Sequence, residues 1–284
     1  LRYYYTTEFI TESLNVNIGN EEKTNALTNY ANSHGCTIQN PKFGISTNNY
    51  GCDSLTRTIY KGVASIKEMQ SVVGDELYEL SQKKNYSNFL SLLFDIKTKT
   101  SCNKTSLDIL IKLDYFREFG DINYLLKVVE IYNKYIGKND FGKRDRKQFR
   151  KNDLEKFYPI EREAIEKFQT DVSKNGNTIY VSRQNIYKLV KYLCDNLKRD
   201  TTDIYDKVVY EAKYLGYTSI TVPNSPYCVV ESIDEDSYGR RFAHVNRLSD
   251  GSKGVFRCSK VWYNEYGLEQ GQLIKAIFNK QPKK

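Results

Sequence analysis

The sequence predicts a multi-domain α+β protein, with a largely helical region followed by a small C-terminal β-barrel. Three observations carry this. Apolar residues recur at helical spacing through most of 62–135, whereas residues from about 227 onward alternate with period two between turn signals. The chain has 284 residues and is only 39% hydrophobic, which suits several small, polar-surfaced modules better than one deep core.

Taken in order, Phe9, Ile10 and Leu14 predict a first helix that Gly19-Asn20 breaks. Asn20 then caps a second helix through Leu27 and Tyr30, which ends where Gly35 supplies the residue after the C-cap. Cys36 to Phe43, interrupted by Pro41, reads as an extended stretch or edge strand, and Thr58-Ile59-Tyr60 as a second strand. Helical stripes follow. One runs through Ile66, Met69, Val72, Val73 and Leu77, the next through Phe89, Leu93 and Ile96, and two more through Leu107 to Ile111 and Leu125 to Tyr132. Asp95 to Asn103 reads as a connector. Six of the nine residues from Lys143 to Lys151 are Lys or Arg, which reads as a hinge, a surface helix or a basic arm. Ile179-Tyr180-Val181 is a short extended piece before a helix from Arg183 to Leu197. Strands are predicted over Tyr227–Ile233, Arg241–Leu248, Val255–Trp262 and Leu273–Phe278, with turns at Tyr238-Gly239, Ser249-Asp250-Gly251, Gly267 and Gly271.

The formal charge of +8 favours an acidic partner such as nucleic acid. Six scattered cysteines without a C-x-x-C pair, and only two histidines, argue against a structural metal site and read as free thiols in a reducing compartment. No apolar run approaches the ~20 residues of a membrane span. The chain opens on Leu1 and reads as a piece of a longer protein.

The sharpest local signal is Lys61-Gly62-Val63-Ala64-Ser65-Ile66-Lys67. A glycine, an apolar residue and a small residue ahead of a new helix form the hairpin of a helix-hairpin-helix unit. Amides at the helix start face a phosphate there, and Lys61 and Lys67 add charge. An ordinary tight turn is the other reading. A second hairpin candidate runs from Leu110 to Asp121 and offers Lys112 and Gly120. Taken alone this stretch reads more readily as core, with Leu113, Phe116 and Phe119 packed inward.

These motifs resemble those of the alpha subunit of bacterial DNA polymerase III, the C-family replicative polymerase, in forms from low-GC bacteria and their phages. Leu1-Arg2-Tyr3-Tyr4-Tyr5-Thr6-Thr7-Glu8-Phe9 is similar to the family's LKxxYPxEF, and His34-Gly35-Cys36-Thr37-Ile38-Gln39-Asn40-Pro41 to its xGIxxxxP. Tyr60 to Lys67 and Leu110 to Phe116 resemble the KGVG and LIKxGAFD blocks of its tandem helix-hairpin-helix domain. Thr6, Ala64 and Asp114 stand where the family has proline, glycine and glycine. Glu211-Ala212-Lys213-Tyr214-Leu215-Gly216 resembles the helix end that introduces its OB-fold. The resemblance implies a fingers remnant (1–56), a tandem helix-hairpin-helix domain (57–136), a helical linker (137–205) and an OB-like domain (206–284).

An OB-like barrel binds single strands through basic and aromatic residues on one face. Arg240, Arg241, Phe242, Lys253, Arg257 and Lys260 are the candidates, with Arg247, Phe256 and Trp262 as further residues of the right types. About half the aromatics are expected to be core, because alternate strand residues point inward. The clustered carboxylates of two-metal phosphoryl transfer are absent, so no catalytic residue, metal or cofactor is assigned. Asp234-Glu235-Asp236 reads as a solvated hairpin turn, and Asp140-Phe141-Gly142 lacks the companions of a kinase site.

The expectation is a DNA-binding fragment that grips duplex backbone and single-stranded template. Its partners would be DNA, the rest of a polymerase chain, and possible sliding-clamp or replisome proteins, in a cytoplasmic setting. The alternatives are a standalone nucleic-acid-binding accessory protein and a protein-interaction module of the replisome.

Overall fold

The computed structural model describes residues 4–70, 72–137 and 145–275. Helices α1 (Thr6–Val16) and α2 (Glu21–Ser33) precede strands β1 (Thr37–Gln39), β2 (Gly51–Asp53) and β3 (Thr58–Tyr60). Helices α3 (Val73–Lys83), α4 (Phe89–Lys99), α5 (Lys104–Lys112) and α6 (Ile122–Tyr132) follow. Next come β4 (Arg146–Arg150), α7 (Pro159–Lys167), β5 (Asp171–Val172), β6 (Thr178–Ser182) and α8 (Arg183–Asp195). Helix α9 (Ile204–Leu215), strands β7 (Cys228–Glu235), β8 (Arg241–Arg247) and β9 (Lys253–Cys258), helix α10 (Lys260–Tyr266) and strand β10 (Leu273–Ile274) end the order. No described helix is long and apolar enough to cross a membrane.

The chain forms two compact units, and they interleave along the sequence. One holds the described residues of 1–83, 100–116 and 202–284, the other 84–99 and 117–201. Compactness therefore divides the chain differently from the four consecutive segments expected.

In the first unit, β1 runs parallel to β3, and β2 pairs antiparallel to β3 on its other side. Ile10 and Leu14 of α1 and Ala31 of α2 bury against Cys36, Tyr50 and Ile59 beside this sheet. Helix α2 has the expected ends: the Asn20 side chain accepts from the Lys23 amide, and Gly35 adopts φ +72°. Its second sheet has the order β10-β7-β8-β9, antiparallel throughout. Cys228, Val230, Ala243, Val245 and Cys258 bury on one side of it, while Val229 and Leu248 pack with Val208 and Ala212 of α9 on the other. Among the described residues this sheet is open, with β9 and β10 as edges, where a small OB-like barrel was expected. The strand expected over Val255–Trp262 stops at Cys258. Lys260 opens a helix instead, in which the Tyr263 amide donates to the Ser259 carbonyl and the Tyr263 ring packs back on the sheet.

In the second unit, β4, β6 and β5 form an antiparallel sheet in the order β4-β6-β5. Two expectations are corrected here. The connector expected from Asp95 is helix as far as Lys99, because Ile96 is fully buried and Asp95 pairs with Lys99 one turn on. The basic run expected as a hinge, a surface helix or an arm is strand β4 from Arg146. Lys147 and Phe149 point inward, 5% and 9% exposed, between outward Arg146, Gln148 and Arg150. Lys143 and Arg144 of that run, Asp140-Phe141-Gly142, Leu1 to Tyr3 and the end of the last expected strand lie outside the described residues.

Candidate nucleic-acid interface

The first hairpin is joined differently from the sequence expectation. Strand β3 leads through Lys61 and Gly62 into a single 3-10 turn, Val63–Ser65, and the next helix begins only at Val73. The amides that were to face a phosphate all donate within the protein. Val63 and Ala64 donate to the carbonyls of Thr47 and Asn48 at 2.9 and 3.1 Å, Ser65 and Ile66 to Gly62 and Val63, and Lys67 to Tyr214. The loop around Asn48 thus occupies the position of the expected anion. A side chain on Gly62 would put its Cβ 2.2 Å from the Asn48 carbonyl oxygen, and one on Gly74 would lie 2.6 Å from Asn48 Oδ1. Both glycines serve this close approach. Asn48 completes the plug: its Oδ1 accepts from the Gly74 amide, and its own amide and Nδ2 donate to Asp75.

Lys61 was expected at a phosphate, yet it is 5% exposed and its ammonium lies 3.8 Å from the centre of the Tyr217 ring. Burial pushes its pKa down from 10.5 to about 7, opposed by the nearby Glu211 carboxylate. Glu211 is itself buried and accepts from Asn40 Nδ2, Thr218 Oγ1 and the Ser219 amide. Lys67 is exposed, and its ammonium donates to Gln270 Oε1 at 3.0 Å.

In the second hairpin, α5 ends on Leu113, and Asp114 takes φ +61° while the Tyr115 amide returns to the Leu110 carbonyl at 3.0 Å. That left-handed position is where the resembled motif carries glycine. Leu113 and Phe116 are buried, as the core reading required, whereas Phe119 is only half-buried; Tyr115, which that reading did not name, is fully buried. Lys112 pairs with Asp108 at 2.6 Å. Gly120, at φ +146°, precedes Asp121, whose side chain caps α6 at the Asn123 amide. Lys112 and Gly120 belong to different compact units.

The C-terminal sheet brings some of the single-strand candidates together and separates others. Pairing of Phe242 with Arg257, His244 with Val255 and Asn246 with Lys253 sets these six on the face opposite Ala243, Val245 and Cys258. One end of this face is closed. Asn246 is buried there, donating to Glu231 and to the Thr218 carbonyl, and the Lys253 ammonium lies 2.9 Å from Glu231, the extra residue of a bulge in β7. The other end is open: Phe242 and His244 are half-buried, Val255 is 57% exposed and Arg257 is exposed. The Arg257 guanidinium has no ion pair among the described residues. His244 Nε2 lies 2.6 Å from Asp234 Oδ2.

Phe242, Lys253 and Arg257 therefore share a surface, and Arg240, Arg241 and Lys260 do not lie on it. Arg240 pairs with Asp236 in the β7–β8 turn, Arg241 reaches the other face to stack 3.9 Å from the Tyr263 ring, and Lys260 starts α10. Phe256 is half-buried and packs against the core on the other face. Sequence reasoning missed His244 and Val255, although the Phe242-x-His244-x-Asn246 alternation carried the signal. Across the hairpin Glu235 and Asp236 pair with Arg241 and Arg240 and Asp234 lies against His244, and no described group of three or more His, Cys, Asp or Glu residues could hold a metal.

No family model matches the chain. A stretch of 137 residues, 47% of this chain, is 26% identical to DNA polymerase III subunit alpha of Ureaplasma parvum serovar 3 and covers 14% of it. A stretch of 136 residues, 46% of the chain, is 27% identical to the same subunit of Buchnera aphidicola subsp. Schizaphis graminum and covers 11% of it. Part of this chain is similar to part of that subunit. The likeness spans a small fraction of the relatives' length.

Proposed function

We propose that the chain is a DNA-binding part of a replicative polymerase of the DNA polymerase III alpha type, acting in DNA replication through contacts to nucleic acid rather than through chemistry of its own. The observation that carries this reading is the open face of β7–β9. It combines an aromatic ring, an imidazole, an exposed valine and an exposed guanidinium, with Lys253 beside them. Bases stack on Phe242 and His244 while Arg257 and Lys253 meet the phosphates, the division of labour of an OB-like single-strand site. Similarity to the two alpha subunits supports the assignment to replication. Its further partners would be the remainder of a polymerase chain and, through it, clamp or other replisome proteins.

The first hairpin has a different part in this reading. Its amides all donate within the protein, two of them to Thr47 and Asn48, so the Lys61–Lys67 segment acts as an internal joint. Backbone contact falls to Lys112 in the first unit, with Lys67 as a peripheral charge, and separately to the residues around Gly120 in the second.

The test is fluorescence anisotropy of the full chain with labelled single-stranded, duplex and primed-template DNA across a salt series. Micromolar or tighter binding to single strands, falling steeply with salt and weakened by Arg257→Glu, is the expected result. Absence of binding to all three DNAs at low salt overturns the proposal.

A further inference from the structure

The second unit carries an open sheet face that the proposed function does not use. Alternation along β4 and β6 sends Lys147, Phe149, Ile179 and Val181 into the core and leaves the opposite side to Arg146, Gln148, Arg150, Thr178, Tyr180 and Ser182. Gln148 and Arg150 are exposed, and the other four are half-buried. The Arg146 guanidinium lies 3.7 Å from the centre of the Tyr180 ring, held from the side by Asp171 at 3.4 Å. Leaving out the inward Lys147, residues 145–151 and 170–183 together carry five cations against two acids, and each acid, Asp145 or Asp171, already binds an arginine of the same unit.

We infer that this face of the β4–β6–β5 sheet is a second contact surface for single-stranded DNA. The charge excess selects a polyanion. The stacked arginine and tyrosine give a flat, cationic platform of the kind on which an unpaired base stacks, and a duplex keeps its base faces hidden. Gln148 and Thr178 flank the platform with donors and acceptors for base edges, and Arg150 supplies a phosphate contact. The inference rests on the reading of the chain as DNA-binding, and adds to the second unit a site apart from the residues around Gly120.

The experiment compares three full-length proteins for binding to a labelled oligothymidylate over a salt series. They are the wild type, Arg257→Glu, and a double variant with Gln148→Glu and Arg150→Glu. The wild type is also photocross-linked to the same oligonucleotide carrying 5-iododeoxyuridine, and the linked peptide is mapped. The double variant is expected to bind about tenfold more weakly with a salt slope lower by about one, and the cross-link to fall on the Tyr180 peptide. Unchanged affinity of the double variant, with Arg257→Glu weakened, overturns this surface and leaves the C-terminal one standing. A weakened double variant beside an unchanged Arg257→Glu supports this surface and overturns the C-terminal one. Absence of wild-type binding overturns both. Should the double variant fail to fold, the mapped cross-link decides: Tyr180 supports the surface, and a link confined to β7–β9 overturns it.

Discussion

The ammonium of Lys61 lies 3.8 Å from the centre of the Tyr217 ring, in a residue with 5% of its surface exposed. A charge there is costly, which is why its pKa falls to about 7. In the unfolded chain Lys61 keeps its proton up to about 10.5. Between these values the unfolded state binds more protons, so the Lys61 contribution to stability rises with pH, by up to about 1.4 kcal/mol per unit. Below about pH 7 both states are protonated and the contribution is flat. The difference in urea-unfolding free energy between wild type and Lys61→Met, followed from about pH 6 to about pH 10, isolates this group from other titrations. The wild type should gain on the variant as pH rises. A constant difference would mean that the lysine is not buried in this way.

Gly62 and Gly74 enclose the Asn48 loop, and the atoms a new Cβ would meet at Gly62 are backbone, at 2.2 to 2.7 Å. Backbone held between a strand and a helix cannot step aside as a flexible side chain does. Gly62→Ala should destabilise the protein by about 3 kcal/mol or more, since overpacking against rigid atoms is among the costlier core changes. Gly51→Ala is the control, because nothing lies within 4 Å of its Cβ. A thermal melt that shifts equally for both would remove the close-packing role assigned to Gly62.

Sequence was informative where a local rule has a local partner. Asn20 caps the helix it precedes, and Gly239, Gly251, Gly267 and Gly271 mark turns that need φ above zero. It was misleading where the partner comes from elsewhere. Lys61 to Lys67 has the residue types of an anion-binding hairpin, but the Val63 and Ala64 amides meet Thr47 and Asn48, from a loop with no pattern to announce it. In β4 the charges of Arg146, Lys147 and Arg150 hid a period-two alternation, because Phe149 is its one apolar mark and the other inward position is filled by the buried stem of Lys147. The open face of β7–β9 was half legible. Residue types pointed to Phe242 and Arg257, but pairing register was needed to exclude Arg241 and admit His244.

Asp114 tests whether backbone or charge governs the end of α5. Its φ of +61° suits glycine, and its carboxylate lies 3.4 Å from the Lys207 ammonium. Such a partly exposed pair contributes about 0 to 1 kcal/mol. If conformation dominates, Asp114→Gly stays within about 0.5 kcal/mol of wild type, whereas Asp114→Val loses about 1 to 3 kcal/mol through forced left-handed backbone. Equal losses for the two variants in urea unfolding would assign the position to the ion pair instead.

Stacking and charge leave different marks on DNA binding, so the roles of Phe242 and Arg257 separate. Arg257 is exposed with no ion pair among the described residues, and a phosphate contact there releases a counterion. Arg257→Ala should therefore lower the slope of log affinity against log salt by about one. Phe242, paired across the strands with Arg257, acts through its ring. Phe242→Leu keeps an apolar side chain on the half-buried position, so it should weaken single-strand binding by about 1 to 3 kcal/mol while leaving the slope unchanged. Anisotropy titrations of both variants at several salt concentrations read the two quantities together. A Phe242→Leu protein that binds as the wild type does would confine the ring to the fold and leave the sheet face with a purely electrostatic role.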